Sequence, residues 1–169
     1  SGFPHVRRFN EVFRRCFDCT PRDIRRERTT KGVLAKRGVL ELRLTYRPPL
    51  DWNTMLAYLA PRAIPGVEEI RERVYRRTIA PGNTVGVLEA DHDADRHAIR
   101  VRVPVDCAPH LADIARRVRS LFDLSADAMR IAEQLDHDPD LMASHSLDWR
   151  VPGCWDRFEL AVRAILGQQ

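Results

Sequence analysis

The stretch His97-Ala-Ile-Arg-Val-Arg-Val-Pro-Val-Asp-Cys-Ala-Pro-His-Leu-Ala-Asp-Ile-Ala-Arg-Arg-Val-Arg-Ser-Leu-Phe122 contains both kinds of element from which the fold is built. In its first part Ile99, Val101 and Val103 alternate with Arg100 and Arg102, the period of two that gives a strand one apolar and one polar face. From Pro109 the period changes. Leu111, Ile114, Ala115, Val118, Leu121 and Phe122 fall at the three- and four-residue spacings of a helix stripe, with the proline at the opening position. A half-polar strand followed by a one-sided helix satisfies both apolar faces when the helix covers the sheet, which is an α+β layer plan.

Upstream, Leu40, Leu42, Leu44 and Tyr46 alternate with Glu41, Arg43 and Thr45, which predicts a first strand halted by Pro48-Pro49. Asp51 is a cap for a helix carrying Trp52, Met55, Leu56 and Leu59 on one side, interrupted by Pro61 and released at Pro65-Gly66. Further strands are expected around Glu72 to Ile79, Thr84 to Ala90 and His97 to Val103, the last two pairing as a hairpin. Two shorter helical stretches are expected between the long helix and His145. The fold class is therefore α+β, an antiparallel sheet covered by helices.

A chain of 169 residues has room for one ordinary domain, or for one domain with pieces of neighbours. With 44% hydrophobic and 31% charged residues it reads as globular. No stretch approaches the ~20 uninterrupted apolar residues of a membrane span, and Ser1 to Cys16 is basic and lacks the apolar segment of a signal peptide. The cysteines, at 16, 19, 107 and 154, form neither a disulfide framework nor paired zinc half-sites, so a reducing, cytoplasmic compartment is expected. Charge is segregated within the net +4: residues 1–37 hold eleven Lys or Arg against four Asp or Glu, and the rest holds 17 against 20. Of the 28 basic residues only Lys31 and Lys36 are not arginine. Arginine suits phosphate and base-edge recognition through its planar fork, and an arginine-rich composition alone produces the same count.

The basic excess lies on a pattern. Phe9, Phe13 and Phe17 recur every four residues, with Arg7, Arg8, Arg14 and Arg15 off that seam, so a helix from Pro4 to about Cys16 buries aromatics and presents cations. Thr20-Pro21 then reads as the cap and first position of a short helix through Asp23, Ile24, Arg25 and Arg26. A solvated basic helix and the back half of a helix-turn-helix both fit. Thr29 to Gly38, poor in large apolar residues and carrying two glycines, reads as a linker.

Three groups invite a metal reading and lose it. Asp91-His-Asp-Ala-Asp95 opens like a calcium loop, but Arg96 stands where glycine is needed and Arg102 where a bidentate glutamate is needed, so a solvated hairpin loop is expected. Cys16-Phe-Asp-Cys19 has zinc-half spacing without a second half. His137, Asp138, Asp140 and His145 are explained by a polar helix connection. No metal or cofactor is expected. At the far end Pro152-Gly153 makes a turn and Asp156 with Glu159 fits a capping box. Phe158, Val162, Ile165 and Leu166 read as a buried helix face.

Several runs resemble known families. Ser1-Gly-Phe-Pro-His-Val-Arg-Arg-Phe-Asn-Glu-Val-Phe13, with Phe17 and Thr20-Pro21, resembles the second helix-turn-helix of AraC-type regulators, especially the Ada alkylation-response group, over residues 1–28. Trp149-Arg-Val-Pro-Gly-Cys-Trp-Asp-Arg-Phe-Glu-Leu-Ala-Val-Arg-Ala-Ile-Leu-Gly-Gln-Gln169 resembles the opening helix of helix-hairpin-helix DNA glycosylases of the AlkA type, the 3-methyladenine DNA glycosylase II family. Tyr46-Arg-Pro-Pro-Leu-Asp-Trp52, Met55-Leu-Ala-Tyr-Leu59 with Arg62, Arg119-Ser-Leu-Phe-Asp-Leu124 and Val151-Pro-Gly-Cys154 continue that match from about Leu44.

The resemblance implies four segments: 1–28, the end of the helix-turn-helix; 29–38, the linker; 39–149, an α+β domain like the AlkA N-terminal domain; and 150–169, an isolated first helix of the glycosylase domain. It implies excision of alkylated bases from double-stranded DNA by base flipping and hydrolysis of the N-glycosidic bond, in nucleoid-associated protein, with the rest of the same polypeptide as partner. A sequence-specific regulator of the alkylation response is the alternative. In the family the catalytic aspartate lies beyond the position of Gln169, so this stretch alone is expected to be inactive. Tyr58 falls where the family has a base-pocket aromatic, with Arg62 beside it, and a core aromatic and a surface arginine remain open for the pair. Pro4, His5, Arg7 and Arg8 fall near the start of the recognition helix. Gln169 takes the place of the DNA-inserting wedge, with Gln168 beside it, where a bulky apolar side chain is familiar. Apolar side chains between Val151 and Leu166 are expected to lack packing partners.

Overall fold

A computed structural model describes residues 38–138 and 148–167. The basic segment with Pro4, His5, Arg7 and Arg8, most of the linker, Asp140, His145, the second short helix, Gln168 and Gln169 lie outside the described residues. Strand β1 (Val39–Thr45) is followed by helix α1 (Trp52–Leu59), a 3-10 turn at Ala60–Arg62, and β2 (Glu68–Arg71). Then come β3 (Val74–Ile79), β4 (Gly86–Asp93) and β5 (Ala98–Pro104), a 3-10 segment at Val105–His110, and helices α2 (Leu111–Leu121), α3 (Ala128–Leu135) and α4 (Arg157–Leu166). The five strands form one sheet in the order β1-β5-β4-β3-β2, antiparallel throughout. Among the described residues the first strand lies at one edge and the last pairs with it, so β5 is an interior strand flanked by β1 and β4, with Ile99, Val101 and Val103 buried on its inner face.

The inner face is made by the alternation already legible in β1 and β5. Leu42, Leu44, Ile99, Val101 and Val103 are fully buried, with Leu88 and Ala90 from β4 and Tyr75 and Ile79 from β3. Two helices cover them. The Asp51 carboxylate caps α1 by accepting from the amides of Asn53 and Thr54 at 2.9 and 3.0 Å, and the helix then buries Trp52, Met55 and Leu56. Helix α2 buries Leu111, Ile114, Val118 and Leu121, the stripe expected of it. Its first turn is 3-10, so the α-helix begins two residues after Pro109. At the centre the Phe122 ring meets Trp52 and Tyr75 edge-on, at 4.9 and 5.4 Å between centroids, the geometry aromatic pairs favour.

The outer face is a charge ladder. Glu41 faces Arg102, Arg102 faces Glu89, Glu89 faces Arg76 and Arg76 faces Glu69, one alternating row across all five strands. The ion pairs follow the register: Arg102 to Glu41 at 3.6 Å and to Glu89 at 3.1 Å, Arg76 to Glu89 at 2.8 Å and to Glu69 at 4.0 Å. Opposite charges placed directly across strands stabilise a sheet by tenths of a kcal/mol each, roughly, and fix register because a one-residue slip would bring the row onto the apolar face. These arginines serve the fold.

Three expectations are corrected. Of the segment Asp91 to Asp95 only Ala94 and Asp95 belong to an exposed hairpin turn: β4 runs through Asp93, and the nearly buried Asp91 carboxylate accepts from Arg100 Nε at 2.7 Å and from Arg102. Cross-strand guanidinium contacts extend the strand to the short turn at Ala94–Arg96. The strand expected from Glu72 to Ile79 is β3 and begins only at Val74, because Glu72 and Arg73, at φ 53° and 63°, form the turn that joins it to a strand not expected, β2. Neither residue is the glycine or asparagine such a turn favours. The third concerns α4. Its apolar residues do not form a buried face: Phe158 is 79% exposed, and Leu160, Ile165 and Leu166 are exposed as well.

Candidate functional site

The structure brings Tyr58 and Arg62 together. Tyr58 is on the outer side of the last turn of α1, and the 3-10 turn at Ala60–Arg62 folds the next side chain back over it. The Arg62 guanidinium carbon is 3.9 Å from the Tyr58 ring centroid, and Arg62 Nη1 donates to the Tyr58 carbonyl at 2.8 Å. Tyr58 is 45% exposed, which excludes the core-aromatic alternative. The pair is an accessible aromatic face that holds a planar cation.

Beside it lies a set of residues that sequence reasoning missed. Arg77 points to the inner side of β3 between Tyr75 and Ile79 and is only 4% exposed. Arg77 Nη1 donates to Glu68 Oε1 at 2.9 Å, and its other terminal nitrogen donates to Glu159. Arg163 Nη2 donates to Glu68 Oε2 at 2.6 Å and also to Glu159. Two arginines and two glutamates thus close a charge-balanced ring, half from the sheet and half from α4. The Tyr75 hydroxyl donates to Glu68 Oε1 at 2.6 Å. Burial alone would push the Glu68 carboxyl up, but the Tyr75 hydroxyl and the Arg163 and Arg77 guanidinium groups hold it below the usual value. Burial and the same Glu68 carboxylate push the Tyr75 phenol up. One signal was present: Arg77 is a charged residue in the inward column of a strand, and Glu159 and Arg163 stand four apart on one helix face.

Arg163 also joins this ring to the Tyr58 edge, because its Nη1 donates to the Arg62 carbonyl at 2.8 Å. The Asp156 carboxylate caps α4 by accepting from the amides of Phe158 and Glu159 at 2.9 and 3.1 Å. The expected capping box is therefore half formed, since the Glu159 carboxylate is engaged by Arg77 and Arg163.

The segment leading into α4, residues 149–156, is a strap pinned along its length. Arg150 donates to four backbone carbonyls, those of Asp123 (3.2 Å), Ala126 (2.7 Å), Pro49 (2.9 Å) and Arg47. The Gly153 amide donates to the Leu121 carbonyl at 3.0 Å. The Trp155 ring has the guanidinium groups of Arg77 and Arg117 at 5.1 and 5.6 Å from its centroid, and Arg117 also reaches the Trp155 carbonyl and the Asp156 carboxylate. Among the described residues no group of three or more His, Cys, Asp or Glu is placed to hold a metal ion. His137 turns its Nδ1 to the Glu133 carbonyl at 2.5 Å.

The model of the AlkA N-terminal domain family matches residues 41–156. Proteins from two strains of Mycobacterium tuberculosis, each described as a probable bifunctional transcriptional activator/DNA repair enzyme AlkA, are 35% identical over 173 residues; the match covers 100% of this chain and 34% of theirs. The DNA-3-methyladenine glycosylase 2 of Escherichia coli K12 is 35% identical over 125 residues, covering 74% of this chain and 43% of that protein. In fold, the chain is similar to a 3-methyladenine DNA glycosylase from Archaeoglobus fulgidus, with a TM-score of 0.51 and 17% identity, over 60% of this chain and 34% of that one. The chain thus spans between a third and a half of the length of these relatives.

Proposed function

The chain belongs to the AlkA N-terminal domain family, and from that premise we propose that it is part of a DNA repair glycosylase that excises alkylated bases, of the 3-methyladenine type, from double-stranded DNA. Alkylation of a purine ring nitrogen makes the base cationic and a good leaving group. Once turned out of the duplex, such a base is recognised by electron-rich aromatic faces, while a carboxylate elsewhere in the enzyme stabilises the oxocarbenium-like sugar. The reaction is hydrolysis of the N-glycosidic bond and asks for no metal or redox group. In this reading the described residues bind and orient: Tyr58 forms one wall of the base pocket, Arg62 lies against that wall, and α4 leads to Gln168 and Gln169 at the position of the DNA-inserting wedge.

The observation that carries the reading is the Arg62–Tyr58 stack. A guanidinium at 3.9 Å from an exposed ring centroid makes the contact that a planar cationic purine would make. The family membership and the two relatives with DNA repair names support it independently. The test is single-turnover release of 3-methyladenine by the longer protein and its Tyr58→Ala variant. A cation–π contact of roughly 0.5–2 kcal/mol predicts a loss of about 2- to 30-fold in the rate. An unchanged rate would make Tyr58 structural only, and no release by the unaltered protein would end the glycosylase reading. Gln169→Ala should reduce both excision and DNA bending.

A second reading has its own observation. The Mycobacterium tuberculosis relatives, similar over the whole of this chain, are described as probable transcriptional activators as well as repair enzymes. Sequence-specific DNA binding by the residues 1–28 segment, through Pro4, His5, Arg7 and Arg8, would make a bifunctional parent acting at the nucleoid. Arg7→Ala with Arg8→Ala should weaken promoter binding and leave excision unaltered; equal promoter binding by the variant refutes this part.

A further inference from the structure

Helix α4 meets the sheet through the side of it that helices usually leave in water. Of its ten residues the least exposed are Glu159 and Arg163, while Phe158, Leu160, Val162, Ile165 and Leu166 are exposed. Its seat is the closed ring with Glu68 and the almost fully buried Arg77. Such a ring is poor glue. Removing four charges from water offsets most of what their attraction gains, and the Nε atoms of Arg77 and Arg163 are buried without a hydrogen-bond partner among the described residues. What the ring supplies is a single register. Turning α4 by one residue, about 100°, would carry both of its charged residues away from their partners at once. Arg163 extends the constraint to the Arg62 carbonyl, and so to the turn that holds the Tyr58 ring.

We infer that the Glu68–Arg77–Glu159–Arg163 ring is an orientation lock, in which Arg77 and Arg163 are positioning residues that fix the angle and separation of α4 relative to the Tyr58–Arg62 edge. In the proposed enzyme this sets the geometry in which the duplex and the extruded base are met; the inference rests on that reading for its consequence in excision, but not for its structural part. The apolar side of α4, free of the sheet, then remains available without disturbing the lock.

The experiment uses the longer protein with three variants: Arg163→Met, Arg163→Lys, and a fourfold apolar replacement (Glu68→Leu, Arg77→Met, Glu159→Leu, Arg163→Met). Three quantities are read: the single-turnover excision rate on 3-methyladenine duplexes at saturating enzyme, amide exchange in Arg157–Leu166, and the melting temperature. Misplacement on the scale of 1 Å costs up to about 100-fold in rate, so Arg163→Met, which also leaves the buried Glu68 short of a partner and should melt lower, should lose roughly 10-fold or more in excision even at temperatures where it is fully folded, and Arg163→Lys should recover part of it. Exchange in α4 should accelerate in all three. The fourfold variant should melt no lower than the unaltered protein yet remain impaired, which a merely structural ring would not do. Unaltered excision with unaltered α4 exchange in Arg163→Met, or full activity in the fourfold variant, overturns the lock. If the fourfold variant fails to fold, a rate loss in Arg163→Met that only tracks its melting temperature and is not recovered by lysine overturns it equally. Should the unaltered protein release no alkylated base while the variants still accelerate α4 exchange, the lock stands and the glycosylase reading falls.

Discussion

Gly153→Ala should destabilise this protein, although the rule for glycines of this kind points the other way. Gly153 is not among the residues at positive φ, so alanine is conformationally permitted there, and stiffening the unfolded chain would by itself stabilise by about 0.4–1 kcal/mol. The neighbourhood reverses the sign. A Cβ at this position would lie 2.3 Å from the Ser120 carbonyl oxygen and 3.1 Å from its carbon, so backbone must part from backbone by about 1 Å. Such overpacking costs roughly 1–3 kcal/mol, and the displaced strap loses the 3.0 Å bond from the Gly153 amide to Leu121, about 1 kcal/mol more. The net loss is about 2 kcal/mol, or roughly 4–8 °C in melting temperature at this chain length. Gly66→Ala is the control. It stands at φ 80° in open space, so its cost is backbone strain alone, about 1 kcal/mol. Thermal unfolding followed by circular dichroism measures both. A Gly153→Ala protein that melts at or above the unaltered temperature refutes the close-approach argument and, with it, the idea that the strap is seated on the end of α2.

Other outcomes follow from the packing and the charges. Phe122→Ala removes the ring at the junction of Trp52 and Tyr75 and should cost about 3–5 kcal/mol by urea unfolding; a loss under about 1 kcal/mol would mean the core rearranges around the gap. Hydrogen bonds from Arg76 and Arg102 hold Glu89 below its usual value, and those from Tyr75 and Arg163 do so for Glu68 against its burial. Stability from these depressed groups is complete above the unfolded carboxylate value of about 4.3 and drains away as pH falls through the lower folded values, so the urea midpoint should drop between pH 5 and pH 2.5; a flat midpoint contradicts the ladder and the ring together. Arg150→Ala strands four carbonyls and should cost about 3 kcal/mol or more, whereas Arg116→Ala, an exposed pair with Asp113, should cost under about 1 kcal/mol. Equal losses in the two would show that the strap is not pinned by Arg150.

The parts of the fold that were legible in the sequence are those where one physical rule acts alone. β1, β5 and the stripe of α2 are written in hydrophobic period because each has a single buried face. β2 was missed because Glu68-Glu69-Ile70-Arg71 carries one large apolar residue and its inward glutamate belongs to an ion pair rather than to an apolar layer. The hairpin after it gave no signal because Glu72 and Arg73 take a left-handed turn without glycine or asparagine. Asp91 read as loop because a cluster of acids looks solvated until the arginines one strand away are placed. The same limit applies at the candidate site. Tyr58 and Arg62 were found as a pair four residues apart, but the ring through Arg77 and Glu159 joins residues 82 apart in the chain, and no local pattern predicts such a partner. The helix face of Phe158 and Ile165 was periodic enough to be read as buried, yet periodicity says only that a face is apolar, not what covers it.

The most direct measurement is a structure of the longer protein bound to duplex DNA carrying a positively charged abasic-site analogue. The account predicts the Tyr58 ring facing the opened nucleotide site, the ring of Glu68, Arg77, Glu159 and Arg163 intact, and Phe158, Ile165 and Leu166 covered by the same polypeptide. A complex in which Tyr58 is remote from the opened site, with α4 turned away from Arg77 and its apolar side still in water, would contradict it.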